Sequence, residues 1–334
     1  MKASPRVLPV QIAGMGCYLP SRVVTSADLE RDLSLPAGWI ERGTGVCSRR
    51  WRTDETTAGM AAAAIRDALR RAGKTIDDLD LIVSASTAPQ QAIPCTAALI
   101  QRELGAPEGR STCFDVNATC LSFVSALHVV APLVAAGVYR CAAIVSSEIN
   151  SGSLNFDEPE SAVLFGDAAA AAILVPAGEG QGAINHSRME TFSGGADLAV
   201  ILGGGTLHHP NDPATSPAMN TFHMDGPAIF RFATRIAIPF VDRFLGELGW
   251  ARDDFDLVVP HQASGHGVAA ISRWLGFPHD RVVANLPERG NCIAASIPLA
   301  LAEADHAGRM RRGDRILLIG TGAGVSIAAA ALTW

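Results

Sequence analysis

Leu69–Val83 reads LRRAGKTIDDLDLIV, and Leu245–Val259 reads LGELGWARDDFDLVV. At an offset of 245 − 69 = 176 residues the two stretches share Leu69/Leu245, Gly73/Gly249, Asp77/Asp253, Asp78/Asp254, Asp80/Asp256, Leu81/Leu257 and Val83/Val259. Each copy carries the same physical instruction. An amphipathic helix stops at a glycine, which adopts the left-handed conformation without a Cβ penalty. An acidic turn follows, then an apolar run of strand length. Further along, Phe114–Val116 leads into an uncharged helix around Cys120, as Val282–Ala284 leads after a loop into a helix around Asn291. Strands Ala142–Val145 and Arg315–Ile319 come next, and each half closes on a glycine turn with small apolar residues, GDAAAAAIL from Gly166 and GTGAGVSIAAAAL from Gly320. The linker-like PAGEGQG of Pro176–Gly182 divides the chain into halves 1–178 and 179–334. Alternating helices and buried strands predict an α/β fold of mainly parallel sheets. Duplication predicts two such sheets about a pseudo-twofold axis with Ala-rich helices between them. Chance similarity of two αβ units is the competing explanation, and the collinear order that follows the repeat speaks against it.

Composition narrows the function. With 48% hydrophobic and 18% charged residues in 334, a large core is available and wholesale disorder is excluded. Lys and Arg number 27 against 33 Asp and Glu, a net charge of −6, which argues against a nucleic-acid binder. The seven cysteines are scattered and form no CxxC pair, so neither a disulfide framework nor structural zinc is expected. The N-terminal MKASPRVLPV lacks a signal-peptide pattern, which suggests a cytoplasmic protein. Val116–Tyr139 holds no Asp, Glu, Lys or Arg and is long enough to span a bilayer. Its Asn117, Ser122, His128 and Pro132 favour a helix buried on all sides of a water-soluble protein instead, with no membrane insertion.

Three residues invite chemistry. Cys120, in FDVNATCLSFVSALHVV, stands at a strand-to-helix junction, where the macrodipole and free N–H groups stabilise a thiolate. A buried structural cysteine is the plainer alternative. His261 follows the apolar run DLVVP, where α/β sheets place ligands, although a hydrogen-bonded core histidine also fits. Asn291, in PERGNCIAAS, opens the duplicate of the Cys120 helix and would serve equally as an N-cap. With an offset of 291 − 120 = 171, Cys120 and Asn291 are expected at nearly equivalent points of the two halves, meeting at one centre with His261.

The set ATCLSF, FGDAA, VPHQA, RGNCIAASIPLAL and a terminal GTGAG, with GCYLP, Trp39-Ile40, Thr44-Gly45-Val46 and Met224-Asp225-Gly226, resembles the thiolase superfamily. Within it the match is to the β-ketoacyl-acyl-carrier-protein synthase III family, over nearly the whole chain. The resemblance implies a thiolase-like five-layer αβαβα sandwich, a homodimer, and a Cys120, His261 and Asn291 triad. It implies an acyl thioester attacked by Cys120, with the backbone N–H groups of Cys120 and Ala323 holding the oxyanion. A malonyl thioester then loses CO₂ while His261 and Asn291 stabilise its enolate. Neither metal nor redox cofactor is implied; coenzyme A or acyl-carrier-protein thioesters are the substrates.

The resemblance makes Trp39, Ile93, Gly226, Phe230 and Ser264 candidate substrate residues, with Arg42 next to a further such position, and puts the carrier-protein docking positions on Arg231, His266 and Arg273. Several depart from the family pattern. Gly43 replaces an arginine, with Arg42 beside it; Pro159 replaces another, amid Asp157, Glu158 and Glu160; Pro227 and Ser264 replace asparagines, and His266 an arginine. An acidic loop repels nucleotide phosphates, so a donor other than acetyl-coenzyme A is expected. Ile93 stands where the head-to-head fatty-acid condensing relatives have a glutamate, against that reaction. Two rival functions are a Cys-dependent acyltransferase to a hydroxyl or amine without decarboxylation, and a non-catalytic partner subunit. His208-His209 with Asp212 reads as an exposed loop rather than a metal site. Gly203-Gly204-Gly205 lacks the ending of a phosphate loop. Phe230, Phe240, Phe244 and Leu248 read as a core stripe on a helix kinked by Pro239.

Overall fold

The computed structural model describes residues 7–178 and 180–334; the N-terminal reading of Met1–Arg6 and the linker's Glu179 lie outside them. The repeated stretches fold as the glycines dictate. Helix Thr57–Ala72 ends at Gly73, φ 64°, and helix Gly226–Leu248 ends at Gly249, φ 78°. The acidic turns become short helical turns at Ile76–Asp78 and Arg252–Asp254, and the strands Leu81–Ser84 and Leu257–Pro260 follow. In both, the last turn aspartate takes a backbone N–H three residues back, from Thr75 and Ala251 at 2.8 Å.

The first sheet has five strands in the order Val10–Tyr18, Ala168–Pro176, Ala142–Glu148, Leu81–Ser84 and Thr112–Asp115. The second has four, in the order Leu257–Pro260, Arg315–Gly322, Ser326–Thr333 and Ala183–Thr191. The second sheet follows the strand order of the first, but its counterpart of Thr112–Asp115 shrinks to one bridge, Val258 to Val282. Both sheets are mixed rather than mainly parallel. The Leu257–Pro260 and Arg315–Gly322 pair is parallel, whereas Arg315–Gly322 and Ser326–Thr333 run antiparallel. The three residues between the latter two strands are too short for a crossover, which needs a dozen or more.

Strand residues alternate between two hydrophobic clusters. Leu81, Val83, Leu257 and Val259 point to the middle of the molecule, into the helices Ser122–Ala135 and Ser296–His306. Ile82 faces the outer helices Thr57–Ala72 and Thr96–Leu104. Val258 faces the outer helix Gly226–Leu248 on the other side. Period-two side-chain alternation thus gives five layers, αβαβα. The uncharged segment forms a helix only over Ser122–Ala135, and His128, Val129 and Pro132 on it are exposed in the single chain, so it is not buried on every side. No helix of the described residues is long and apolar enough to cross a membrane. Gly226–Leu248 runs through Pro239 as one helix; Phe240 and Phe244 are buried, whereas Phe230 and Leu248 are only half-buried.

Candidate active site

Cys120 sits in a tight turn, Thr119–Leu121, ahead of the Ser122–Ala135 helix. Its equivalent in the other half is not Asn291. Ala118 N–H donates to Ser122 Oγ at 3.0 Å, and Cys292 N–H donates to Ser296 Oγ at 3.0 Å. Thr119 N–H donates to Asn117 Oδ1 at 2.9 Å, and Ile293 N–H to Asn291 Oδ1 at 2.8 Å. Thr119 and Ile293 share a left-handed backbone, φ 52° and 47°, strained for β-branched residues. The registering offset is therefore 291 − 117 = 174, which pairs Asn117 with Asn291 and Cys120 with Ala294.

The two turns pack against each other; the Thr119–Leu121 turn also packs against the strand Arg315–Gly322, and the Ile293–Ala295 turn against Ala142–Glu148. The Arg315–Gly322 strand passes through a narrow gap. A Cβ on Gly320 would lie 2.7 Å from His261 Cβ and 3.2 Å from Leu121, and one on Gly322 would lie 2.8 Å from Thr119 Oγ1. Glycine is the residue that lets the backbone approach this closely. Beyond it, the N–H groups of Ala323 and of Cys120 itself act on the sulfur and favour its charged form. Burial outweighs them, with a smaller contribution from the Glu148 charge, and the thiol is pushed up to about 12. The thiolate expected from helix position is thus not the resting form, because desolvation in this interior exceeds what a short turn's N–H groups return.

His261 is buried, its backbone N–H held by Ile319 at 2.8 Å. Its Nδ1 is buried without a hydrogen-bond partner. Burial alone lowers its pKa to about 4, so the ring is neutral near pH 7. The next residue, Gln262, is structural. Its amide donates to the carbonyls of Pro260 and Val283, and its oxygen accepts from Asn285 and Leu286 N–H. Asn291 is clamped through its backbone by the FGD segment. Asn291 N–H donates to Leu164 O at 2.8 Å, and Gly166 N–H donates to Asn291 O at 3.1 Å. Asp167 in turn accepts from Arg52, Asn150 and Ser151 N–H at 2.7–2.9 Å. The Asn291 amide nitrogen makes one long contact, 3.4 Å to Ala263 O.

His261 and Asn291 line one cavity of about 400 Å³, together with Gly226, Phe230 and Ser264. Cys120 is not on its wall; it lies half-buried beyond the Gly320–Ala323 segment. Gly226, Phe230 and Ser264 also border an outer chamber of about 840 Å³ whose rim carries Glu158, Glu160, Asp197 and Asp225. Arg42, His266 and Arg273 border a third depression of about 360 Å³ beside Phe230 and Trp274. Arg231, the residue after Phe230, is exposed. Trp39 packs beside Ile40 and Leu29 and borders none of these three spaces. Ile93, 84% exposed, borders none either. His209 and Asp212 are exposed, and each accepts a backbone N–H two residues on.

Sequence reasoning missed Glu148. It ends the fully buried strand Ala142–Glu148, and its carboxylate accepts Thr87 N–H at 2.6 Å and the N–H groups of Ala88 and Ala294. Burial raises it to about 8. It thus touches the turn of Ala294 while its field acts on Cys120. The signal was a lone acid closing the apolar run AAIVSSE.

A family model described as 3-oxoacyl-acyl-carrier-protein synthase III matches residues 114–193, and one described as its C-terminal part matches 245–334. The β-ketoacyl-acyl-carrier-protein synthase III of Symbiobacterium thermophilum is 37% identical over 331 residues, 98% of this chain and 99% of its own. That of Rhodospirillum centenum is 38% identical over 328 residues, 97% and 98%. The solved 3-oxoacyl-acyl-carrier-protein synthase III of Aquifex aeolicus superposes with a TM-score of 0.88 at 32% identity, covering 97% of this chain and 100% of that one. The priming β-ketosynthase of the R1128 polyketide biosynthetic pathway does so with 0.89 at 30%, covering 99% and 97%.

Proposed function

The chain belongs to the 3-oxoacyl-acyl-carrier-protein synthase III family, and from that premise we propose which of its residues carry the reaction and how. It is an acyl-transferring condensing enzyme. Cys120 takes the acyl group from a thioester, the leaving thiol departs, and the N–H groups of Cys120 and Ala323 stabilise the tetrahedral oxyanion. Because the resting thiol is protonated, its proton passes to neutral His261 as the sulfur attacks and on to the departing thiolate, which leaves as the thiol and returns the ring to its neutral form. A malonyl thioester of acyl-carrier protein then binds with its thioester oxygen facing His261 Nε2 and the Asn291 amide. Its carboxylate leaves as CO₂, the electron pair forms the enolate, and the enolate carbon bonds to the acyl carbon, whose bond to Cys120 breaks with return of the pair to sulfur. Neutral donors suit this step, since they stabilise charge only as it develops.

The observation that carries this reading is the cavity shared by His261 and Asn291, with the Cys120 turn packed behind Gly320. Four carboxylates on the outer rim repel nucleotide phosphates. A carrier-protein or specialised acyl donor therefore fits better than acetyl-coenzyme A, with Arg231, His266 and Arg273 as the docking cations. No cofactor takes part. We read the enzyme as a cytoplasmic homodimer. Thr112–Asp115 pairs with one neighbour only and leaves an open sheet edge, which a second copy would cover. Mass spectrometry of the protein after exposure to acyl-carrier proteins and acyl-coenzymes A, followed by malonyl-acyl-carrier protein, tests the reading. Acylation at Cys120 and release of CO₂ are expected. Acylation elsewhere, or transfer to a hydroxyl or amine without CO₂, would overturn it.

A further inference from the structure

The cavity holding His261 and Asn291 reaches well past them. It runs along the Gly226–Leu248 helix as far as Ala237 and Ile238, eleven or twelve residues from the mouth at Gly226, or roughly 16–18 Å of helix. Its opposite wall is the Gly265–Arg273 helix and the turn after it, with Ile271 and Leu275. No residue of that second helix is fully buried; Ile271 packs only partly against the core cluster and also borders the cavity. Interiors are ordinarily close-packed, with few voids larger than a water. An apolar space of about 400 Å³ is of ligand-pocket size. No charged side chain lines it, whereas the chamber outside carries four carboxylates. Gly267 leaves part of the room: a Cβ there would meet nothing closer than 3.4 Å.

Cys120 is not on this wall, so the space does not follow from the acyl group on the sulfur. It belongs to the molecule whose thioester oxygen meets His261 and Asn291. We propose that this acceptor carries a hydrocarbon chain housed between the two helices: a 2-alkylmalonyl thioester is preferred over plain malonyl. The inference rests on the condensing reading above and names its acceptor class. The step balances as before. The bond to the carboxylate breaks, CO₂ leaves, and its electron pair forms the enolate. The substituted C2 bonds to the acyl carbon, and the carbon–sulfur bond to Cys120 breaks, returning the pair to sulfur. The product is a 2-alkyl-3-oxoacyl thioester that keeps one hydrogen on C2.

The test compares malonyl- and hexylmalonyl-acyl-carrier protein with one fixed acyl donor, in the wild type and in Gly267→Leu and Ala237→Phe. Burial is worth about fourfold in binding per methylene, so wild-type kcat/KM for hexylmalonyl should equal or exceed that for malonyl. Each plugging variant should lower the hexylmalonyl-to-malonyl ratio at least tenfold while keeping the wild-type melting temperature. A second readout needs no turnover: binding of the two acceptors to Cys120→Ala, followed by tryptophan fluorescence, with Trp274→Phe as the control for the ring at the cavity wall. Hexylmalonyl reacting a hundredfold more slowly than malonyl would overturn the proposal. So would variants that leave the ratio unmoved, or that shift the preferred donor chain length instead. Tighter hexylmalonyl binding without CO₂ release from either acceptor would support the chain pocket and overturn the decarboxylative reading.

Discussion

Asn117–Ser122 and Asn291–Ser296 are the same turn built twice, and they differ in the hydrogen bonding of the shared asparagine and in the residue three positions after it. In both, an asparagine oxygen holds a strained residue's N–H and a serine hydroxyl holds the N–H one position earlier. In the first turn the asparagine amide is committed, donating to Thr87 O at 2.7 Å, and the residue three positions on is Cys120. In the second the amide is nearly free, with a 3.4 Å contact and a place on the cavity wall, and the residue three positions on is Ala294. The duplicated scaffold brings both turns to Glu148, and only the first of them also packs on the Arg315–Gly322 strand. In the proposed reaction the two turns divide the work through what each asparagine amide has left to donate and through the residue three positions on, Cys120 in one and Ala294 in the other.

The largest break in this comparison comes from moving the sulfur. Cys120→Ala should abolish acyl labelling and condensation, and adding Ala294→Cys should restore neither, as mass spectrometry and product assay would report. Labelling at residue 294 would mean that the turn itself, rather than its side of the site, activates the thiol. Next come the asparagines. Asn291→Ala should slow condensation by ~10²–10³ while acylation of Cys120, followed by single turnover, stays within a few-fold. Asn117→Ala should lower the melting temperature and spare condensation per folded molecule. Equal kinetic losses in the two variants would erase the distinction.

The unpartnered imidazole sets a pH signature. His261 is depressed from 6.5 to about 4, so the neutral ring persists well below the usual histidine range. The condensation step should lack an acid limb near 6.5 and lose rate only as pH approaches about 4. For stability the sign is that of a depressed base. The unfolded chain binds the proton first, so stability is full above about 6.5 and falls as pH drops toward 4. His261→Gln should flatten that decline in thermal melts. The smallest effect sharpens the symmetry of the scaffold. Ser122→Ala and Ser296→Ala each remove one buried hydroxyl that holds a turn N–H, and each should cost ~1 kcal/mol in denaturant melts. A large inequality would show that the two turns are not held alike.

Sequence alone determined the duplicated α/β plan, because Gly73 and Gly249, the acidic turns and the period-two strands are local signals that each half states for itself. It also marked Cys120, His261 and Asn291, since each follows a recognisable strand end or opens a helix. It placed the register three residues off, because an offset read from aligned helices cannot see which N–H each asparagine and serine holds. The resting state of the sulfur, the neutral unpartnered imidazole and the charge of Glu148 were decided by the tertiary structure. Desolvation depends on everything packed around a group, and that sum is made from segments far apart in the chain. The same holds for the cavity between the two outer helices: an unfilled space is a property of where helices stop approaching each other, and no residue spells it.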